Sequence, residues 1–197
     1  MRRRDIVVYL DACVYLAHYR QEISSYGETR INAIRDILNE NKAGGASIVT
    51  SSLTICEVQE RLMQSNMSAE INDFNNLFRF GLHSLKDVDP KVAEKAAEYR
   101  HFYRINPLKR TNRDKPYVNL ATPDAIHLAT AVLNDCDEFW TMDGLNPSSD
   151  RHESIKPLWL NNKVGNDSIV ITAPAMQQGS LPLGVEAQPN RRFKLGE

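Results

Sequence analysis

Cysteine is scarce in this chain and does not cluster. Cys13, Cys56 and Cys136 are odd in number and nowhere form a CxxC pair. They argue against a zinc site and for a reducing compartment. Long hydrophobic runs are also missing. The apolar stretch behind Arg2-Arg3-Arg4 lasts only from Ile6 to Leu10 before Asp11 interrupts it. That is too short for a signal core or a transmembrane span. The expected location is therefore the cytoplasm, with no membrane association. Net charge is nearly absent: 24 Lys and Arg face 25 Asp and Glu, for a formal charge of -1. This excludes a broadly basic nucleic-acid coat protein, so any nucleic-acid contact must be local. No internal repeat is visible.

What is present is an alternation of strand-like and helix-like segments. Ile6–Leu10 and Ala46–Thr50 are short, β-rich apolar runs, the pattern of strands buried on both faces. Weaker strand patterns occur at Ser84–Val88 and Ser168–Thr172. Helical periodicity covers about Glu28–Glu40, Leu53–Ser65, Ala69–Phe80, Pro90–Tyr103 and Pro123–Asn134. Such alternation predicts an α/β fold, a three-layer α/β/α sandwich around a central parallel sheet. With 197 residues the chain is long enough for one domain with a full core. We expect that domain over residues 1–172. From Ala173 onward Pro174, Pro182, Pro189, Gly179, Gly184 and Gly196 leave little periodic pattern. Residues 173–197 read as an extension without its own core.

Four acids sit at structural junctions. Asp11 follows the first strand, where open α/β sheets bind ligands, and it equally suits a helix N-cap. Glu57 closes Thr54-Ile55-Cys56-Glu57, a capping-box pattern, and stands one turn before Arg61. Asp124 lies in LATPDAIHLATAV, where Thr122 fits an N-cap, Pro123 the first helical position, and Ile126, Ala129, Thr130 and Leu133 an apolar face. Asp143 ends Phe139-Trp140-Thr141-Met142-Asp143-Gly144, an aromatic strand running into a turn pair. Each acid has a local structural reading on its own, in a cap, a capping box, a first helical turn or a tight turn. Together they would crowd one sheet edge. Carboxylates gathered there repel and lose solvation, and a hard divalent cation such as Mg2+ or Mn2+ offsets that cost. A site of that kind suits phosphoryl chemistry.

At these positions the sequence resembles the PIN domain family, and within it the VapC-like toxin ribonucleases. The resemblance rests on Tyr9-Leu10-Asp11-Ala12-Cys13-Val14, Ser51-Ser52-Leu53-Thr54-Ile55-Cys56-Glu57-Val58, Pro123-Asp124-Ala125-Ile126-His127-Leu128-Ala129-Thr130-Ala131 and Trp140-Thr141-Met142-Asp143. It spans about residues 5–172. It implies that Asp11, Asp124 and Asp143 hold metal, that Glu57 completes the acidic pocket, and that the substrate is RNA. It also implies an antitoxin partner and pairing into a homodimer. Two positions depart from the family. Cys13, a weak donor, stands where members often carry Ser, Thr or Asn. The polar stretch Asn146–Asn162 is longer than the usual return to a last strand.

One cluster is locally basic. Lys109, Arg110, Arg113 and Lys115 face a single acid, Asp114, just ahead of the Asp124 segment. They read either as an ordinary solvated loop or as a grip on phosphates beside the scissile one. His127, one turn after Asp124, reads as a core or helix-surface residue, or as support for the acids. Phe74, Phe78 and Phe80 fit core or a self-interface better than base stacking. Alternatives in other classes are a non-catalytic RNA-binding or scaffold module on the same fold, and a housekeeping RNA-processing nuclease. A phosphatase is disfavoured because Asp11-Ala12-Cys13 is no DxDxT, and a receiver because no Lys is well placed at a later strand end.

Overall fold

The computed structural model describes residues 6–109, 117–143, 145 and 162–175. In chain order the elements are β1 (Ile6–Leu10), α1 (Ala12–Tyr19), α2 (Ile23–Tyr26), α3 (Glu28–Lys42), β2 (Ala46–Ser51), α4 (Ser52–Gln64), α5 (Ser68–Arg79) and β3 (His83–Lys86). Then follow α6 (Pro90–Ile105), β4 (Leu108–Lys109), β5 (Tyr117–Val118), α7 (Thr122–Leu133), β6 (Glu138–Trp140), β7 (Lys163–Val164), β8 (Asp167–Ser168) and β9 (Val170–Thr172).

Five strands form one sheet in the order β3-β2-β1-β6-β9, and every pairing in it is parallel. The expected α/β sandwich with a central parallel sheet is what the chain forms. Alternation along the strands divides the core. Val8, Leu10, Ile48 and Trp140 face a layer built from α1, α3, α4 and α5, with Val14, Ile34, Leu62 and Phe74 among its buried members. Tyr9, Val49 and Phe139 face the opposite layer, where α6 and α7 supply Val92, Tyr99, Leu128 and Ala129. Burial on both faces explains why the strands read as continuous apolar runs.

The strand order places the site. From β1 the chain moves outward through β2 to β3, then returns to β6 on the other side of β1. The crevice beyond the carboxyl ends of β1 and β6 is therefore a topological switch point, the usual ligand position in such sheets. Leu10 pairs with Trp140 in register, so Asp11 and Thr141 leave the sheet side by side.

Several local expectations change. The helix of Glu57 starts earlier than the capping-box pattern implied. Ser51 is the N-cap, its hydroxyl accepting from Leu53 N–H at 3.2 Å. Thr54 instead points inward to the Thr50 hydroxyl at 2.8 Å, and Thr50 donates to the Leu10 carbonyl. Glu57 therefore lies in the second turn, and Arg61 bonds Gln64 rather than Glu57. Thr122 is already helical; Ala121 is the N-cap, without a side-chain bond, and Pro123 in the first turn removes one of the donors a cap would serve. The buried face of α7 is Ala125, His127, Leu128, Ala129, Thr130 and Ala131, while Leu133 is exposed.

Phe74 is fully buried and packs edge-on against Phe78, so Phe80 is the exposed member of that trio. The final strand pattern splits into β8 and β9, with β7 and β8 forming a small antiparallel hairpin. Asp167 of that hairpin is held by Lys95 at 2.7 Å and Tyr99 at 2.8 Å. Among the described residues no helix is long and apolar enough to cross a membrane. Residues 110–116, 146–161 and 176–197 lie outside the described residues. That covers Arg110, Arg113 and Lys115, most of the polar stretch and nearly all of the C-terminal extension.

Candidate active site

Asp11 is the anchor of the crevice. Its backbone is extended, and its Oδ1 accepts from Ala12 N–H at 2.7 Å, so it is the N-cap of α1. The capping and ligand readings are compatible, because Oδ1 accepts only this one bond and keeps a second lone pair. The other oxygen, Oδ2, accepts from the Thr141 hydroxyl at 2.8 Å and from the Cys13 thiol at 3.0 Å. Burial and the Asp11 charge push the Cys13 thiol well above its ordinary pKa. It therefore stays protonated and serves as a donor. Cys13 Sγ also accepts from Met142 N–H at 3.1 Å, and Thr141 Oγ1 accepts from Asp143 N–H at 3.1 Å. The segment after β6 is thus tied to Asp11 and carries Asp143 on its turn.

Asp124 is half-buried in the first turn of α7. Burial pushes its carboxyl up, the charges of Asp11, Asp143 and Glu57 push it further, and nearby His127 opposes them. The result is about 8, so the group holds a proton at neutral pH. Asp124 thus lies within electrostatic reach of Asp11, Asp143 and Glu57.

Glu57 reaches the same place from α4. Its Oε2 lies 2.8 Å from Nε2 of His127, a fully buried ring on α7. The ring's Nδ1 is 2.7 Å from the Tyr9 hydroxyl, whose oxygen accepts from Ser51 N–H at 3.1 Å. His127 Nε2 also stands 3.8 Å from Asp11 Oδ1. Burial disfavours charge on this ring. The bond to Glu57 and the charges of Asp11, Glu57 and Asp124 outweigh that and raise its pKa.

Among the described residues no three His, Cys, Asp or Glu side chains lie close enough together to enclose a metal ion as they stand. The donor set that acts on Asp124 nevertheless consists of carboxylates, the ligands of a hard divalent cation. A cation among them would oppose both the burial and the repulsion that raise the Asp124 pKa, so the donor type, though not yet a closed cage, suits Mg2+ or Mn2+. Of the basic cluster only Lys109 is described, in β4, where it pairs with Tyr117.

Thr141, Tyr9 and the identity of Glu57 as the partner of His127, which the sequence offers only as core or as general support for the acids, escape sequence reasoning. Their partners lie 130, 118 and 70 residues away in the chain, and no local pattern encodes such pairings.

A family model described as PIN domain matches residues 8–144, which include all four acids. No curated protein matches the chain. Among solved structures, the chain is similar to VapBC2 from Rickettsia felis bound to a DNA fragment from their promoter. The identity is 14%, the TM-score 0.52, and the match covers 85% of this chain and 98% of that one. It also matches a toxin-antitoxin complex from Klebsiella pneumoniae at 17% identity and TM-score 0.42, over 73% of this chain and 92% of that one. A third match is VapC20 from Mycobacterium tuberculosis, a Sarcin-Ricin loop cleaving toxin, at 14% identity and TM-score 0.45, over 70% of this chain and 90% of that one.

Proposed function

The chain belongs to the PIN domain family, and on that premise we propose that it is a metal-dependent endoribonuclease, the toxin of a toxin-antitoxin pair. The observation that carries this reading is the state of Asp124. Burial and three other acids raise its carboxyl pKa to about 8, and one turn further along the same helix His127 Nε2 stands 2.8 Å from Glu57 and 3.8 Å from Asp11, so acids from separate elements meet at one crevice, an arrangement that suits a cation.

In this reading Asp11, Asp124 and Asp143 would hold Mg2+ or Mn2+. The bound cation supplies a water of lowered pKa and stabilises charge on phosphate oxygens. Asp11 is the fixed member, since hydrogen bonds from Ala12, Cys13 and Thr141 set its orientation in advance. Asp124 gives up its proton as the site fills. Glu57, with Oε2 engaged by His127, keeps Oε1 for the proton of the water that attacks phosphorus. Hydrolysis at that phosphorus would break the bond to the ribose 3′ oxygen and leave a 5′ phosphate and a 3′ hydroxyl, the proton taken up by Glu57 passing on to the departing 3′ oxygen. Lys109, Arg110, Arg113 and Lys115 are our candidates for the grip on flanking phosphates. The nuclease domain is assigned to residues 1–172 and the Pro- and Gly-containing extension to 173–197.

The partner of such a toxin is a cognate antitoxin, and an Arg or Lys placed among the four acids would inhibit through charge-assisted hydrogen bonds. Pairing into a homodimer, Phe80 included, and a cytoplasmic location belong to the same reading.

The test is cleavage of a broad RNA panel with Mg2+ or Mn2+, with and without chelator. Endonucleolytic products with 5′ phosphates are expected. Asp11→Asn and Asp124→Asn should be inactive, because an amide keeps the shape and loses the charge. Equal activity in either variant would refute these roles, and an inactive wild type would favour a binding module. Expression in bacteria should arrest growth, and Asp11→Ala should abolish the arrest. Harmless expression of an active enzyme would point to a housekeeping nuclease.

A further inference from the structure

Four hydrogen-bonding groups in the crevice form a circuit that starts and ends on one helix. The Ser51 N–H, at the N-cap of α4, donates to the Tyr9 oxygen at 3.1 Å. The Tyr9 hydroxyl meets His127 Nδ1 at 2.7 Å, and His127 Nε2 meets Glu57 Oε2 at 2.8 Å, back on α4 in its second turn. Both bridging side chains are buried, Tyr9 at 0% and His127 at 1% exposure. Tyr9 is further fixed by a stacked contact with Phe139, ring centroids 5.0 Å apart. Neither ring has room to choose another rotamer.

We infer that His127 is a positioning residue for Glu57: the Tyr9–His127 pair clamps one carboxylate oxygen of Glu57 and so aims the other into the acidic crevice. The inference rests on the proposed nuclease reading and adds to it a residue that holds no metal and touches no substrate.

The chemistry is specific to this arrangement. A carboxylate only accepts, so the ring presents a hydrogen on Nε2 to Glu57, and in the neutral ring Nδ1 accepts from the Tyr9 hydroxyl. A doubly protonated ring would present the same Nε2–H to Glu57, so the clamp does not depend on the ring's charge. Glu57 needs such support more than Asp11 does. Asp11 is held by three donors on a capped backbone, whereas Glu57 is a longer side chain on a half-exposed face of α4.

The replacements that separate positioning from folding are His127→Gln, which keeps a donor near the Nε2 position, and His127→Leu, which removes it. Supports of this kind alter activity or metal affinity by about 10–100-fold when lost. His127→Leu should therefore lower kcat of RNA cleavage by about that factor at saturating Mn2+. His127→Gln should recover most of the loss. Added to Glu57→Gln, His127→Leu should cost nothing further, because the clamp has nothing left to hold. A purely structural ring would give an additive loss in the double variant and no rescue by Gln. Either result would overturn the inference.

A second readout needs no activity. In wild type the His127 Nε2–H should give a slowly exchanging, downfield proton signal in NMR, and Glu57→Gln should shift or abolish it. A signal unaffected by Glu57→Gln overturns the clamp itself. An intact clamp signal in a protein that cleaves no RNA overturns the nuclease reading instead, and with it the catalytic consequence of the clamp.

Discussion

Tyr15 and His83 meet inside the core, the phenol oxygen 2.8 Å from the imidazole Nδ1, and both side chains are buried. The contact joins α1 to the first residue of β3, beneath Phe74 and Phe78. Burial, assisted by the charge of Lys42, lowers the His83 pKa to about 4. The ring is therefore neutral in the fold, while the unfolded chain protonates near the ordinary histidine value of about 6.5. Stability from His83 is complete above that value and is lost as pH falls through about 4. A difference of this size corresponds to about 3 kcal/mol. Urea denaturation between pH 7 and 4 should show the fall, and His83→Asn, although less stable at pH 7, should show a flatter profile. Parallel profiles would contradict the assignment.

Asp124 acts with the opposite sign. Its pKa is raised to about 8, so the fold favours its protonated form. The associated stability is complete below the ordinary carboxyl range and is lost as pH rises through about 8. Between pH 6.5 and 8 the metal-free protein should therefore lose stability, and Asp124→Asn should remove most of that loss. Binding of Mn2+ at pH 7 should release the Asp124 proton. Calorimetry in buffers of different ionisation enthalpy should then give different apparent heats. Identical heats, or the same pH profile in Asp124→Asn, would contradict this picture.

Thr141 carries two bonds at once, donating to Asp11 Oδ2 and accepting from Asp143 N–H. Thr141→Val keeps the volume and removes both. It should destabilise the protein by about 1–3 kcal/mol, the cost of leaving buried polar groups unpaired. It should also weaken Mn2+ binding, because Asp11 and Asp143 lose their common tie. Cys13→Ser supplies a stronger donor to the same oxygen and should leave both properties near wild type. Thermal melts with and without Mn2+ check each variant, and a Thr141→Val protein with unchanged metal affinity would refute the tie.

The sheet and the junction acids are legible in the sequence because they follow local rules. Ile6–Leu10 is apolar without alternation because both of its faces are covered, and Asp11 at its end satisfies a cap that any helix start requires. What joins the acids is not local. Thr54-Ile55-Cys56-Glu57 fits a capping box by spacing, yet Ser51 takes the cap, because Thr54 has a better partner in the buried Thr50 hydroxyl. The sequence gives Glu57 a plausible partner four residues on in Arg61, and the fold gives it His127 from another helix. Cys13 looks deficient by type, but Thr141, brought beside Asp11 by the pairing of β1 with β6, supplies the strong donor. Tertiary contacts of this kind override local preference, and one sequence alone does not display them.

The central claim is that Asp11, Asp124 and Asp143 share a cation. Anomalous diffraction from crystals soaked in Mn2+ tests it most directly. The account predicts a peak bonded to carboxylate oxygens of all three aspartates, lost in Asp124→Asn. A protein saturated with Mn2+ that shows no peak there, or a peak bonded to other residues, would contradict it.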